Sequence, residues 1–355
     1  MPAEPTPALL PKAASWLRRR SWSAADRPVG ALLEAKRAAG RAGTVSVVLP
    51  ALDEEATVGD IVRTVRRELM ERLPLVDELV VVDSGSVDGT AAAAAEAGAR
   101  VVHRDDILPR LPASPGKGEV LWRSLLVTSG EIVCFVDADL RSFDPAFVSG
   151  IIGPLLTEPD IQLVKAMYDR PLEVTNGSGS GDAAVVPSGG GRVTELVARP
   201  LLNLHWPELA GFVQPLGGEY AARRSLLERL PFPTGYGVEL GLLVDALELA
   251  GLDALAQVDV GVRHHRHQDS QALGRMAATI YRTALERLDR THRLKASADL
   301  VHPLLTQFTR DPRTAAGPPA GGAAIFTPHT HAITAEERPP MHTVPEYAAH
   351  HGHQA

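Results

Sequence analysis

The chain has 355 residues, 45% of them hydrophobic, and a formal net charge of −7 from 36 Lys and Arg against 43 Asp and Glu. That length can bury a large core, and the negative balance excludes a general nucleic-acid-binding surface, so an anionic ligand needs a local cationic pocket. No run of about 18 apolar residues and no signal-peptide pattern occurs, so no membrane span is expected; the single cysteine, Cys134, offers no disulfide framework, which fits a reducing cytoplasm.

Residues 1–43 read as an N-terminal arm, with the basic stretch Trp16-Leu17-Arg18-Arg19-Arg20 and a helical pattern over Val29–Arg41. The basic patch suits a membrane surface or, more simply, a solvated arm that packs its tryptophans on the main domain. Order begins at Thr44–Pro50, a β-branched run stopped by proline. After Ala51-Leu52-Asp53-Glu54-Glu55, the residues Val58, Ile61, Val62, Val65 and Leu69 mark one face of an amphipathic helix. Acidic residues in its first turn favour the helix dipole, which by itself accounts for Glu55.

Glu78–Asp83 is a second buried strand; the turn Ser84-Gly85-Ser86-Val87-Asp88-Gly89-Thr90 leads from it into an alanine-rich helix, and Arg100–His103 is a third strand. Strands alternating with helices imply a parallel, doubly wound α/β sheet. The loop Ile107–Gly118 ends Pro115-Gly116-Lys117-Gly118-Glu119, where glycines permit close backbone approach to a phosphate and Lys117 supplies a compact charge. The P-loop spacing is absent, and as a lone feature Lys117 reads more simply as a surface lysine. Glu131–Asp139 is the strongest signal: an apolar strand, Ile132–Val136, ending in Asp137-Ala138-Asp139 at the carboxyl edge of the sheet, where hard oxygen ligands suit Mg²⁺ or Mn²⁺. Asp-x-Asp alone is common, so its neighbours must carry the argument.

Asp144–Leu156 reads as a helix and Ile161–Met167 as a strand; Asn176–Gly191 lacks periodicity and reads as a mobile loop. Gly189-Gly190-Gly191-Arg192-Val193-Thr194 opens a helix, which makes either an anion site or a flexible linker with a solvated arginine. Gln214–Tyr220 is a backbone-exposing turn, and Thr234-Gly235-Tyr236-Gly237-Val238-Glu239 brings a carboxylate to the start of an apolar helix, where it favours the dipole or holds sugar hydroxyls. Gln257–Val262 alternates as a half-buried strand and runs into Arg263-His264-His265-Arg266-His267. Without cysteines this is a poor structural zinc site, leaving a basic strand end or one histidine that completes an Asp-bound metal. Helices are expected to about Thr309, and the Pro-, Ala- and His-rich 310–355 to be a disordered tail.

Together, Pro50–Glu55, Asp83–Thr90 and Asp137–Asp139 resemble the nucleotide-sugar half of a GT-A glycosyltransferase, and the later motifs narrow this to the glucosyl-3-phosphoglycerate synthases of actinobacterial type. The resemblance spans about residues 44–290, with a longer loop at 174–188. It implies a Rossmann-like GT-A domain over 44–309, a mostly parallel sheet flanked by helices, divided into a nucleotide-sugar half at 44–170 and an appended helical acceptor half at 189–309, commonly as a homodimer. The implied reaction moves glucose from UDP-glucose to the 2-hydroxyl of D-3-phosphoglycerate with retention, releasing UDP, in a route toward methylglucose lipopolysaccharide or glucosylglycerate.

By position, the resemblance gives Pro50, Ala51, Leu52, Glu54, Ser84, Lys117, Asp137, Ala138 and Tyr236 to the donor, with Glu239 and Tyr236 orienting glucose. It gives Gly191, Arg192, Val193, Thr194 and His267 to the acceptor, and Asp139 with His265 to Mg²⁺ or Mn²⁺. His267 departs from the family's usual asparagine and, as a group that titrates near neutrality, implies pH-dependent acceptor binding. Retention is expected by same-face attack assisted by the Leu216 carbonyl, Glu239 being the candidate for a covalent nucleophile instead. The competing readings are a mannosyl-3-phosphoglycerate synthase using GDP-mannose, a membrane-attached polyprenyl-phosphate glycosyltransferase, a metal hydrolase and a catalytically silent nucleotide-sugar sensor.

Overall fold

The computed structural model describes residues 9–170, 191–263, 269–291 and 336–351, with the backbone alone of 172–175, 183–186, 304–310 and 326–332. In chain order the N-terminal half contains α1 (Pro11–Arg19), β1 (Ser21–Ser23), α2 (Val29–Ala39), β2 (Val45–Ala51), α3 (Glu55–Val65), β3 (Glu78–Asp83), α4 (Thr90–Glu96), β4 (Arg100–His103), α5 (Lys117–Ser124), β5 (Ile132–Phe135), α6 (Ala146–Thr157) and β6 (Leu163–Asp169). There follow β7 (Leu172–Thr175), β8 (Ala183–Val186), α7 (Arg199–His205), β9 (Tyr220–Arg223), α8 (Arg224–Leu227), β10 (Phe232–Pro233), α9 (Val238–Ala250), β11 (Leu255–Val262), α10 (Ser270–Arg290), β12 (Leu304–Arg310), β13 (Phe326–Ala332), β14 (Glu337–Arg338) and α11 (Pro345–His351).

The main sheet has eight strands in the order β1-β11-β6-β9-β5-β2-β3-β4. Every pairing is parallel except those of β9, which lies antiparallel between β5 and β6. The near-continuous Val, Ile and Leu runs of β2, β3 and β5 are those of strands covered on both faces. Because successive side chains point to opposite faces, each strand feeds two cores. Val48, Val133 and Phe135 pack with Trp122, Leu240 and Leu243 on one side; Val47, Leu49 and Cys134 pack with Ile61, Val65, Phe147 and Ile151 on the other. Burial raises the Cys134 thiol far above its ordinary range, which leaves it an inert core residue.

Three sequence expectations are corrected. The arm packs its tryptophans on the main domain as expected, Trp16 fully buried and donating from Nε1 to the Leu255 carbonyl at 2.7 Å, but it is not merely solvated: β1 adds a parallel edge to the sheet with Trp22 opposite Val258. Three residues are too few to reveal a strand period, and β1 forms because β11 offers an unpaired edge. Within the stretch read as a loop from Asn176, β8 pairs antiparallel with β7; likewise β12 and β13 pair where helix and then a disordered tail were expected. Their Val, Thr and Phe content favours extended chain.

The tail is also ordered at 336–351. β14 pairs antiparallel with β10, and Met341, Val344 and Tyr347 are buried. Arg338 donates to both carboxylate oxygens of fully buried Glu119, at 2.6 and 3.0 Å, while Arg123 donates to the same carboxylate at 2.6 Å. Trp122 Nε1 donates to the Pro339 carbonyl at 2.9 Å, and Arg224 Nη1 to the Tyr347 hydroxyl at 3.0 Å. The strap is hard to read from the sequence because its apolar contacts are only Met341, Val344 and Tyr347, and the partners of Arg338 lie far upstream.

Glu119 would keep Arg123 but lose its second cation and two charged hydrogen bonds, so Arg338→Ala should lower unfolding stability by about 2 kcal/mol in a denaturant titration. A loss within ~0.5 kcal/mol would show the strap to be an ornament on an independently stable fold.

Candidate active site

The carboxyl ends of β2, β3, β5 and β6 and the loops behind them converge on one cleft edge, where open α/β sheets hold their ligands. The loops after β2 and β3 are laced together by side chain to backbone bonds. Asp53 adopts a left-handed φ of 56° and takes its amide to Ser86 Oγ at 3.0 Å, while Val87 N donates to Asp53 Oδ1 at 2.8 Å. Glu54 N donates to Thr90 Oγ1 at 2.7 Å, and Ser84 N to the Ala51 carbonyl at 2.9 Å. Gly89 N donates to Glu55 Oε2 at 3.0 Å, so Glu55 ties two loops together as well as favouring its helix dipole. Thr57 Oγ1 reaches the Ala138 carbonyl at 2.6 Å, which fastens this pair of loops to the Asp-Ala-Asp turn. Pro50, Ala51, Leu52, Glu54, Ser84 and Ala138 are thereby brought to one place, with Leu52 exposed on its rim.

Asp137 stands at the centre. Lys117, on the first turn of α5, pairs with it and with Glu239 Oε1 at 2.8 Å. From the end of β11, Arg263 Nη2 reaches Asp137 Oδ2 at 2.8 Å and Asp139 Oδ1 at 3.1 Å, while its Nε donates to Glu219 Oε1 at 2.8 Å. Burial disfavours the Asp137 carboxylate, but Lys117 and Arg263 outweigh it and hold its pKa far below the usual range. For Lys117 burial again opposes the charge, and Asp137 and Glu239 more than restore it. Asp139 behaves differently: burial, with Asp137 and Glu219 nearby, pushes its pKa up despite Arg263.

Backbone packing makes this convergence feasible. Gly116, at φ 119°, would place a Cβ 2.6 Å from the Thr234 carbonyl, and a Cβ on Gly118 would collide with Pro233 O. Glu119 N then donates to the Thr234 carbonyl at 3.0 Å, so α5 is pressed against the segment carrying Tyr236 and Glu239. On its other side Thr234 donates from N and Oγ1 to the Glu336 carbonyl, at 3.1 and 3.2 Å, which clamps the same segment to the C-terminal strap. Gly218 is required by proximity, because a Cβ there would meet the Asp137 carboxylate. Beside it Leu216 is partly buried in the Gln214–Gly217 turn, closed by Gly217 N to Gln214 O at 3.0 Å.

The acceptor candidates are also assembled, apart from one. Gly191 has φ 78° and its carbonyl accepts from Glu195 N at 3.0 Å; Val193 and Thr194 are buried beside it and Arg192 is exposed. His265 and His267 lie outside the described residues. Among the described residues no cluster of three or more His, Cys, Asp or Glu is assembled to hold a metal ion. The donors that are described fit a hard divalent cation: Asp139 presents a carboxylate whose ionised form is disfavoured in place, which an added positive charge would stabilise.

Sequence reasoning passed over Glu219, Lys165 and Tyr168. Tyr168 OH donates to Glu219 Oε2 at 2.7 Å, and buried Lys165 donates to the Gly217 carbonyl at 2.7 Å while lying 4.7 Å from the centroid of the Tyr220 ring. Burial lowers the Lys165 pKa to about 8. The available signal was a lone charge inside the apolar run Leu163–Met167, since a buried lysine requires a purpose-built partner.

A mostly parallel sheet with an acidic turn at its carboxyl edge, faced by a lysine and a glutamate, defines a nucleotide-sugar glycosyltransferase. The model of glycosyl transferase family 2 matches residues 46–182. The glucosyl-3-phosphoglycerate synthase of Mycolicibacterium smegmatis is 49% identical over 329 residues, 93% of this chain and 98% of that one. The crystal structure of the Mycobacterium tuberculosis glucosyl-3-phosphoglycerate synthase in complex with Mn²⁺, UDP-glucose and phosphoglyceric acid matches with a TM-score of 0.71 at 45% identity, covering 88% of this chain and 94% of that one. A mannosyl-3-phosphoglycerate synthase from Rubrobacter xylanophilus matches with a TM-score of 0.81 at 38% identity, covering 95% and 99%. The chain belongs to the glucosyl-3-phosphoglycerate synthase family.

Arg263 is the one cation shared by Asp137, Asp139 and Glu219. Arg263→Leu should therefore cost about 3–5 kcal/mol of stability by chemical denaturation. A cost near zero would mean that water already screens these carboxylates.

Proposed function

We propose that the protein transfers glucose from UDP-glucose to the 2-hydroxyl of D-3-phosphoglycerate, with retention at the anomeric carbon, giving glucosyl-3-phosphoglycerate and UDP. The observation that carries the reading is the pairing of Lys117 with both Asp137 and Glu239 at the carboxyl edge of β5, in a chain 45–49% identical to glucosyl-3-phosphoglycerate synthases. In this reading the loops after β2 and β3 seat the uridine and ribose through Pro50, Ala51, Leu52, Glu54 and Ser84. Asp137 and Ala138 line the nucleotide, and Lys117 faces the diphosphate. Tyr236, half exposed at the lip, and Glu239 orient the glucose.

Asp139, with His265, would hold Mg²⁺ or Mn²⁺, and such an ion supplies positive charge to the departing diphosphate. The rest of the chemistry belongs to the chain's own geometry. The bond from the anomeric carbon to the diphosphate oxygen breaks with its electron pair going to that oxygen. The acceptor 2-hydroxyl attacks on the same face and passes its proton to the departing phosphate, while the Leu216 carbonyl faces the positive charge that develops on the sugar. Lys165 fixes the neighbouring Gly217 carbonyl and so helps hold that turn in place. Glu239 is already engaged by Lys117, which suits a group that binds sugar hydroxyls better than a free nucleophile. Gly191, Arg192, Val193 and Thr194, with His267, receive the acceptor's phosphate and carboxylate. No helix among the described residues is long and apolar enough to cross a membrane. The lone buried thiol suits a cytoplasmic setting.

UDP release should require UDP-glucose, 3-phosphoglycerate and a divalent cation together, stop on adding EDTA, and fall by about 10²- to 10³-fold in Asp139→Ala. Acceptor-independent release, or full activity in EDTA, would sink the reading. The likeness to a mannosyl-3-phosphoglycerate synthase makes GDP-mannose the donor to run in parallel; faster turnover with GDP-mannose would reassign the donor and leave the acceptor as proposed. Mass spectrometry of the quenched reaction should find no glucosyl adduct on Glu239.

A further inference from the structure

The cations of the site are almost all committed to carboxylates. Lys117 serves Asp137 and Glu239, and Arg263 serves Asp137, Asp139 and Glu219. Lys165 is bound to the Gly217 carbonyl. Arg170, the residue that follows β6, differs from all of them. Its Nη2 donates to the Tyr168 hydroxyl at 2.9 Å and its guanidinium carbon lies 5.2 Å from the Tyr168 ring centroid. Among the described residues it forms no ion pair, and its Nε is buried with no hydrogen-bond acceptor. A guanidinium held in place by a ring and a hydroxyl, with a desolvated donor left over, is charge prepared for a partner that the described residues do not supply.

Position says what that is. A Cβ built on Gly191 would lie 3.8 Å from Arg170 Cδ and 3.8 Å from the Thr194 side chain, so Arg170, Gly191 and Thr194 border the same small space. Arg170 and Arg263 also flank the same Tyr168 ring, 5.2 and 5.9 Å from its centroid, so Arg170 lies beside the cation that holds the donor-site carboxylates. It therefore stands between the reacting end of the donor and the segment assigned to the acceptor. The acceptor in the proposed reaction carries a carboxylate and a phosphate, and the guanidinium fork matches either one.

We propose that Arg170 is an acceptor-binding residue, its guanidinium seated on Tyr168 beside Gly191 and gripping one of the acceptor's two anionic groups. This rests on the functional reading above. Through Tyr168, whose hydroxyl continues to Glu219, and Glu219, which accepts from Arg263, the acceptor grip is linked by hydrogen bonds to the donor carboxylates. Binding of the second substrate would thus be registered at the group that pairs with Asp137 and Asp139.

The test is calorimetric binding of 3-phosphoglycerate, of glycerol 3-phosphate, which lacks the carboxylate, and of glycerate, which lacks the phosphate, to protein loaded with UDP and Mg²⁺. Arg170→Gln should weaken 3-phosphoglycerate by about 10- to 100-fold, the range of one lost charged hydrogen-bonding contact, and leave the Kd for UDP unchanged. The analogue missing the group that Arg170 grips should bind wild type and variant equally, which names that group. Arg170→Lys, which keeps the charge without the fork, should fall between. Equal 3-phosphoglycerate affinity in wild type and Arg170→Gln would overturn the inference, as would weakened UDP binding or an equal loss for all three acceptors. If either variant is unstable, thermal unfolding of both identifies it and the other carries the comparison. A wild-type protein that releases no UDP with 3-phosphoglycerate overturns the functional reading itself, a result visible before any variant is made.

Discussion

Burying Asp137 at the end of a central strand costs several kcal/mol unless it is paired, and the site is arranged around meeting that requirement. Two cations arrive from distant parts of the chain, Lys117 from the start of α5 and Arg263 from the end of β11, and each brings further carboxylates with it. Glu239 comes with Lys117, and Asp139 and Glu219 with Arg263. The network therefore fixes α5, α9, β5, β9 and β11 relative to one another. It also leaves the members unequal: Asp137 is fully compensated and firmly ionised, whereas Asp139 is under-compensated. That inequality is what the proposed assignment of the metal to Asp139 rather than Asp137 draws on.

Much of this was legible in the sequence wherever one residue type had one physical job. Val-rich runs ending in Asp gave β3 and β5 with little error, because strands covered on both faces tolerate little else. The glycines of Pro115–Gly118 were expected to admit a phosphate, and what they admit in the structure is the backbone at Pro233 and Thr234; in the backbone-exposing turn Gln214–Tyr220, Gly218 makes room for the Asp137 carboxylate. What escaped notice was short or depended on a distant partner. Tyr220-Ala-Ala-Arg223 is short, with Tyr220 its one strong β-former, and becomes a strand because β5 and β6 leave a gap for it. Glu219 reads as one more turn residue until Arg263 and Tyr168 are brought to it. The strap at 336–351 is written in Arg, Pro and Glu, a composition that signals disorder when its buried partner, Glu119, is not in view.

Both kinds of residue obey one rule. Apolar burial is announced locally, by period and run length, whereas a buried charge is meaningful only with its counter-charge. The functional end of this molecule is built largely from the second kind. Its core could be read strand by strand, and its site needed the fold.

The clamp on Thr234 sets an order of events during synthesis. Thr234 Oγ1 and the Glu336 carbonyl it meets are separated by 102 residues. At roughly 5–20 residues per second, the ribosome takes about 5–20 seconds to travel that distance after the Tyr236–Glu239 segment has been made. Throughout that interval the sheet's first strands can pair, yet the Tyr236–Glu239 segment lacks the partner that holds it against α5. A chain stopped before Glu336 would lack the hydrogen bonds that clamp Thr234 from that side. The clamp therefore makes the seating of the Tyr236–Glu239 segment depend on a stretch of chain made 102 residues later.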